Sequence, residues 1–150
     1  MALADDAALR IVIADDHALT RTLLREELEA AGFVVCGEAA TGADALEVAL
    51  RERPDLCVLD VVMPGVSGID AAREIKRALP ETKIVMITAA PDEEGVVAAA
   101  QAGADGYLGK DFDPGRLPEI VRAIAAGEAA YPRRLLRHVL AGLSEATKAP

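Results

Sequence analysis

The sequence predicts an α/β fold: a five-stranded parallel sheet with helices on both faces. Three observations lead there. Short runs rich in Val, Ile and Leu recur along the chain without polar alternation, the pattern of strands covered on both faces. Each run is followed by a stretch whose apolar residues return every three to four positions, the helical period. Strand–helix alternation of this kind closes as parallel pairs through right-handed crossovers.

The strands are residues 10–14 (RIVIA), 33–37 (FVVCG), 56–59 (LCVL), 83–88 (KIVMIT) and 106–108 (GYL). Between the first two, residues 17–31 set Leu24, Leu28 and Ala31 on one stripe, and Gly32 stops that helix. Leu46, Ala49 and Leu50 stripe the second helix, which ends before Pro54. Ala72, Ile75 and Leu79 stripe the third, ended by Pro80. Val96, Val97 and Ala100 give the fourth a shorter face. The fifth spans residues 114–126, with Leu117, Ile120, Val121 and Ile124 at i, i+3, i+4 and i+7.

Beyond Gly127 the pattern changes. Pro132 opens a further helix at its first turn. There Leu135, Leu136, Val139, Leu140 and Leu143 are expected on one side and Arg133, Arg134 and Arg137 on the other, with His138 solvated. Residues 1–9 read as a mobile tail, 10–127 as the domain, and 128–150 as a connector helix and tail.

Composition narrows the function. The 150 residues carry 25 acidic and 16 basic side chains, a formal charge of −9. Such a surface repels phosphate backbones and anionic lipid, which argues against nucleic-acid or membrane binding by this chain. Aromatics are 3% with no Trp, too few for base-stacking platforms. The opening MALADDAALR lacks the basic, then apolar, layout of a signal peptide. Uncharged runs such as residues 95–104 fall short of the roughly 20 apolar residues of a membrane span. Two cysteines in a chain of this size make neither a disulfide scaffold nor a four-ligand zinc site. The expectation is a cytoplasmic acidic domain.

Acids gather where strands end. Asp15 and Asp16 follow the first strand and Asp60 the third, Thr88 ends the fourth, and Lys110 follows the fifth. Open parallel sheets bind ligands at that carboxyl edge. If the first and third strands are neighbours, three carboxylates share one crevice. At an effective dielectric near 20, each like-charged pair about 4 Å apart costs ~4 kcal/mol. A proton or a cation must relieve the repulsion. Oxygen donors in a small site favour Mg²⁺, which keeps several waters and accepts a phosphate oxygen. With a lysine and a hydroxyl alongside, this is the equipment for phosphoryl transfer to a carboxylate.

The segments IVIADDHALTRTLL, PDLCVLDVVMPGVSGID, KIVMITA and GADGYLGKD resemble the response-regulator receiver domain of two-component signalling, over about residues 10–127. The ADDH and GYLGKD wording, followed by AIAAGEAAY, is similar to the NarL/LuxR-type subfamily. The resemblance implies strand order 2-1-3-4-5, as in flavodoxin-like folds. That order separates Cys36 from Cys57, so both read as thiols. It implies Asp60 as phosphoacceptor from a sensor histidine kinase, and Asp15, Asp16, Asp60 and the Val62 carbonyl around Mg²⁺. Lys110 would pair with a phosphoryl oxygen, Thr88 would bond the phosphoryl after transfer, and Tyr107 would then move inward as part of the switch. Regulation of a homodimer or of a transcriptional output domain is implied. DNA contact would need a helix-turn-helix domain absent from this chain.

Two positions depart from the family pattern. Asp111 stands after Lys110 where many receivers carry proline, and Ser67 replaces an acid or amide in the MPGVSG turn. Val62 and Ala90, two past Asp60 and Thr88, offer no group to hold a hydrolytic water, so slow self-dephosphorylation is expected. Val62 also counts against a haloacid-dehalogenase-type phosphatase, which needs an acid there. Acidity and scarce aromatics count against a flavin carrier. Intact Asp60 and Lys110 count against a receiver that never takes phosphate. His17, beside the acids, reads chiefly as a helix-start residue.

Overall fold

The computed structural model describes residues 8–148, with side-chain surroundings described to residue 144. Residues 1–7 of the expected tail, and residues 149–150, lie outside the described residues. Five parallel strands, β1 (Arg10–Ala14), β2 (Val34–Ala39), β3 (Leu56–Asp60), β4 (Lys83–Thr88) and β5 (Gly106–Gly109), form one sheet in the order β2-β1-β3-β4-β5. The helices are α1 (Ala18–Ala30), α2 (Gly42–Glu52), α3 (Gly68–Ala78), α4 (Glu93–Gln101), α5 (Leu117–Ala125) and α6 (Leu136–Lys148). Short 3₁₀ turns, Pro114–Arg116 and Arg133–Leu135, lead into the last two.

Period-two side-chain alternation splits the apolar runs between two cores. Val12, Ala14, Cys57, Leu59, Ile84, Met86 and Tyr107 face α2, α3, α4 and α6. Ile11, Ile13, Leu56, Val58, Val85 and Ile87 face α1 and α5, against Leu24, Leu28, Leu117, Val121 and Ile124. A strand buried on both sides needs apolar residues at every position, which is why these runs do not alternate in the sequence. Leu9 packs against the second core and its carbonyl accepts from Val34 N at 2.9 Å, so this residue of the expected tail is part of the packed body.

Several boundaries and faces differ from expectation. β2 runs on through Glu38 and Ala39 because Ala39 pairs with Ala14. Its register slips between Ile11 and Val12, leaving Cys36 as an extra residue on β2. α2 buries Ala45, Val48 and Ala49, and Leu50 is exposed: small residues, not the leucines, let this helix lie close to the sheet. α4 buries Val96 and Ala99 while Val97 turns partly toward α6. The broad stripe of α6 divides: Leu135 and Val139 are buried, whereas Leu136, Leu140 and Leu143 are exposed. His138 is not simply solvated, since its Nε2 lies 3.3 Å from Glu93 Oε1. Cys36 and Cys57 are free thiols.

The chain from α5 to α6 pairs with the start of β5 at its outer edge. Ala130 forms a parallel bridge with Gly106, accepting from Tyr107 N at 2.8 Å and donating to the Asp105 carbonyl at 3.0 Å. Tyr131 hydroxyl donates to the Ala104 carbonyl. α6 then crosses α4, held by Gln101 Nε2 to the Gly142 carbonyl at 3.1 Å and by Arg134 to the Pro91 carbonyl at 3.4 Å.

Candidate functional site

The carboxyl ends of β1 and β3 lie side by side, with Ala14 in register with Leu59. The next residues out, Asp15 and Asp60, therefore enter one crevice by the geometry of parallel pairing. Both are buried. Neither Asp15 nor Asp16 caps α1; His17 holds that position without a side-chain bond, leaving the carboxylates to the crevice. Asp15 Oδ1 accepts the backbone N–H of His17 at 2.8 Å, a tight turn that fixes the carboxylate. One donor atom each from Asp15, Asp16, His17 and Asp60 lies within 4.8 Å of all the others.

Lys110 enters from β5. Its backbone N–H donates to the Thr88 carbonyl at 2.7 Å, extending the β4–β5 ladder by one step. From there Nζ reaches Asp60 Oδ2 at 2.8 Å and Asp15 Oδ2 at 3.0 Å. Asp60 Oδ1 accepts from Val62 N at 3.1 Å. Burial pushes the Asp60 pKa above the ordinary carboxylate range, with Lys110 and the Val62 N–H pulling against it and Asp15 adding to the rise. Burial works against the charge on Lys110 too, but Asp60 and Asp15 outweigh it and hold the ammonium above its usual value.

The remaining expected residues occupy different settings. Val62 gives its N–H to Asp60 while its side chain is 71% exposed. Thr88 is buried, and its hydroxyl accepts from Ala90 N at 3.3 Å. Tyr107 is inward, 1% exposed. Its hydroxyl accepts from Asp92 N at 3.4 Å, under the first turn of α4. The slot exists because residue 95 is glycine: a Cβ there would collide with the Tyr107 hydroxyl. The ring is held inward by this slot and by the segment bridged to β5. Ser67, read as a turn variant, caps α3 by accepting from Asp70 N at 3.1 Å. Every described peptide bond is trans, including the one after Lys110.

Two further contributors are His17, which the sequence gives chiefly as a helix-start residue, and Arg21, which the sequence reading does not single out. His17 brings Nδ1 to 3.2 Å from Asp15 Oδ1 and 3.1 Å from Asp16 Oδ1. Arg21, in the first turn of α1, donates to the Asp15 carbonyl at 2.6 Å and to Glu38 at 3.3 Å, tying the acidic loop to β2. A weak signal was present, for an arginine four residues past a helix start can reach back to the preceding loop.

The crevice suits a small hard cation. Three carboxylates face a single ammonium, and Asp15 Oδ2 is buried without a hydrogen bond, having only the ionic contact with Lys110. An acceptor so placed needs a further positive partner. The donors are oxygen with one imidazole nitrogen, a set matched to octahedral divalent ions.

Comparison with known proteins agrees with this geometry. Residues 11–122 match the family described as "Response regulator receiver domain". The chain is 44% identical over 124 residues to the uncharacterized transcriptional regulatory protein YxjL of Bacillus subtilis, covering 82% of this chain and 57% of that protein. It is 37% identical over 131 residues to the nitrate/nitrite response regulator NarP of Escherichia coli, covering 87% of this chain and 61% of that one. The chain therefore spans less than two thirds of these relatives. The crystal structure of a LuxR-family two-component response regulator from Aurantimonas sp. SI85-9A1 superposes with a TM-score of 0.81 at 30% identity, over 95% of this chain and all of that one. Sheet order, acidic crevice and family match converge, and the chain belongs to the response-regulator receiver domain family, with NarL/LuxR-type relatives.

Proposed function

We propose that this chain accepts a phosphoryl group on Asp60, from a sensor histidine kinase, with Mg²⁺ bound in the acidic crevice. The observation that carries the reading is Lys110 Nζ bridging Asp60 Oδ2 and Asp15 Oδ2, a cation set where phosphoryl charge would arrive. An Asp60 carboxylate oxygen attacks phosphorus, the bond to the donor imidazole nitrogen breaks, and the leaving imidazole takes up a proton. Val62 N–H fixes the orientation of the Asp60 carboxylate. Lys110 offsets charge on the phosphoryl oxygens, contributing positioning and electrostatics rather than covalent chemistry. Asp15, Asp16, Asp60 and the Val62 carbonyl would hold Mg²⁺, which supplies further charge neutralisation.

After transfer, the Thr88 hydroxyl would exchange accepting from Ala90 N for donating to a phosphoryl oxygen. That exchange pulls on the Thr88–Asp92 loop, whose far end meets the Tyr107 hydroxyl and, through Pro91, Arg134 ahead of α6. Output then runs through α4, β5 and α6 to a second copy or to an output domain. On this reading residues 10–127 are the receiver body and residues 128–150 its connector. Cytoplasmic placement fits, and no described helix is long and apolar enough to cross a membrane. A DNA-binding domain, where the full-length relatives are transcription regulators, would be the partner for DNA.

The test is acetyl phosphate with Mg²⁺, read by intact mass on wild type and Asp60→Asn. One phosphoryl on wild type alone is expected; equal labelling of both, or none on wild type, overturns the reading. Following the label over time in Val62→Asn and Val62→Glu should show an altered half-life, since the native valine holds no water.

A further inference from the structure

The ring of His17 is turned back over the acidic loop, so that one nitrogen stands 3.2 Å from Asp15 Oδ1 and 3.1 Å from Asp16 Oδ1. A single ring nitrogen has one proton or one lone pair, and cannot hydrogen-bond well to both carboxylates. The spacing has another meaning. Around a divalent ion with bonds near ~2.1 Å, adjacent octahedral donors are about 3 Å apart. Nδ1 stands at that separation from one oxygen of each carboxylate, and one donor atom each from Asp15, Asp16, His17 and Asp60 falls within the same 4.8 Å group. The backbone N–H of His17 is already bonded to Asp15 Oδ1, so the loop presents the ring at little further entropic cost.

We propose that His17 Nδ1 is a direct ligand of the cation bound in this crevice, and that the site therefore prefers transition divalent ions such as Mn²⁺ over Mg²⁺. This rests on the reading of the crevice as a metal site. An oxygen-only set suits Mg²⁺; an added imidazole shifts preference toward ions that bind nitrogen well. The ring proton then resides on Nε2, and the ring, 67% exposed, leaves that side open to water.

The probe is Mn²⁺ added to tag-free, metal-free protein, followed by pulsed electron paramagnetic resonance. Wild type should show the coupling of a directly bound nitrogen. His17→Ala should lose it, while His138→Gln, removing the only other histidine, should retain it. In competition titrations the ratio of Mn²⁺ to Mg²⁺ affinity should fall about ten-fold in His17→Ala. Circular dichroism checks that the variant folds. Mn²⁺ bound without nitrogen coupling, or an unchanged affinity ratio in His17→Ala, overturns the assignment of His17. Phosphoryl labelling of Asp60 with Mg²⁺ would survive that result. Failure of wild type to bind Mn²⁺ at all overturns both this inference and the metal site beneath it.

Discussion

Asp60 shows how one residue is held ready at a cost. Its carboxylate is buried beside Asp15, with Lys110 as the shared cation. In metal-free protein the folded state binds the Asp60 proton more tightly than the unfolded chain does, because the folded pKa is raised. Stability therefore falls as pH rises from the ordinary carboxylate range through that raised value. Asp60→Asn should remove this limb from a plot of unfolding free energy against pH. At neutral pH it should stabilise the metal-free fold by on the order of 1 kcal/mol, since Lys110 keeps Asp15 as partner. Denaturant titrations at several pH values measure both effects; a destabilised Asp60→Asn with unchanged pH slope would contradict the reasoning.

At the scale of elements, the apolar face of α6 departs from expectation. Five Leu and Val residues form a wider apolar arc than α4 can cover, so Leu136, Leu140 and Leu143 stay exposed while Leu135 and Val139 go in. Close approach of the two helices depends on Gly142, where a Cβ would sit 2.6 Å from Val97 Cγ1. Gly142→Val should push α6 off α4 through overpacking of about 1–3 kcal/mol. Hydrogen exchange should show α6 amides losing roughly ten-fold protection while the central strands keep theirs. Equal loss everywhere would mean that α6 and the sheet unfold as one unit.

Over the whole molecule, charge is the dominant long-range term. The formal charge of −9 adds self-repulsion to the three carboxylates of the crevice. Exposed ion pairs such as Arg73–Asp70 and Arg77–Glu74 are each worth at most about 1 kcal/mol. Raising NaCl from ~0.05 M to ~0.5 M should therefore raise Tm of the metal-free protein, because screening relieves more repulsion than attraction. A falling Tm in thermal melts would reverse that balance.

The parts legible in the sequence were those set by local pattern. Strand centres such as Ile11–Ile13 and Ile84–Ile87 stand out because burial on two faces demands unbroken apolar runs. Asp15, Asp16, Asp60 and Lys110 stand out because strand ends converge on one edge whatever the details of packing. Features set by fit between elements were not legible. Glu38 lies past the expected strand end at residue 37, yet its backbone continues β2 while its carboxylate meets Arg21 and Arg25. The sheet-facing side of α2 is chosen by small alanines rather than by the leucines. The inward ring of Tyr107 depends on Gly95, twelve residues earlier, and the fold of His17 toward the acids depends on a turn.

The bridge between Ala130 and Gly106 bears on how this sheet meets its own kind. An unpaired margin is a template onto which a foreign extended segment can add. Ala130 occupies the Gly106 end of the margin beside β5, which leaves the β2 margin the longer template. There the extra residue Cys36 breaks the regular spacing of donors, and the clustered charges of Arg21, Arg25 and Glu38 crowd the approach. Strand-by-strand fibril growth is therefore discouraged on both sides by different means, backbone occupancy on one and broken register with charge on the other.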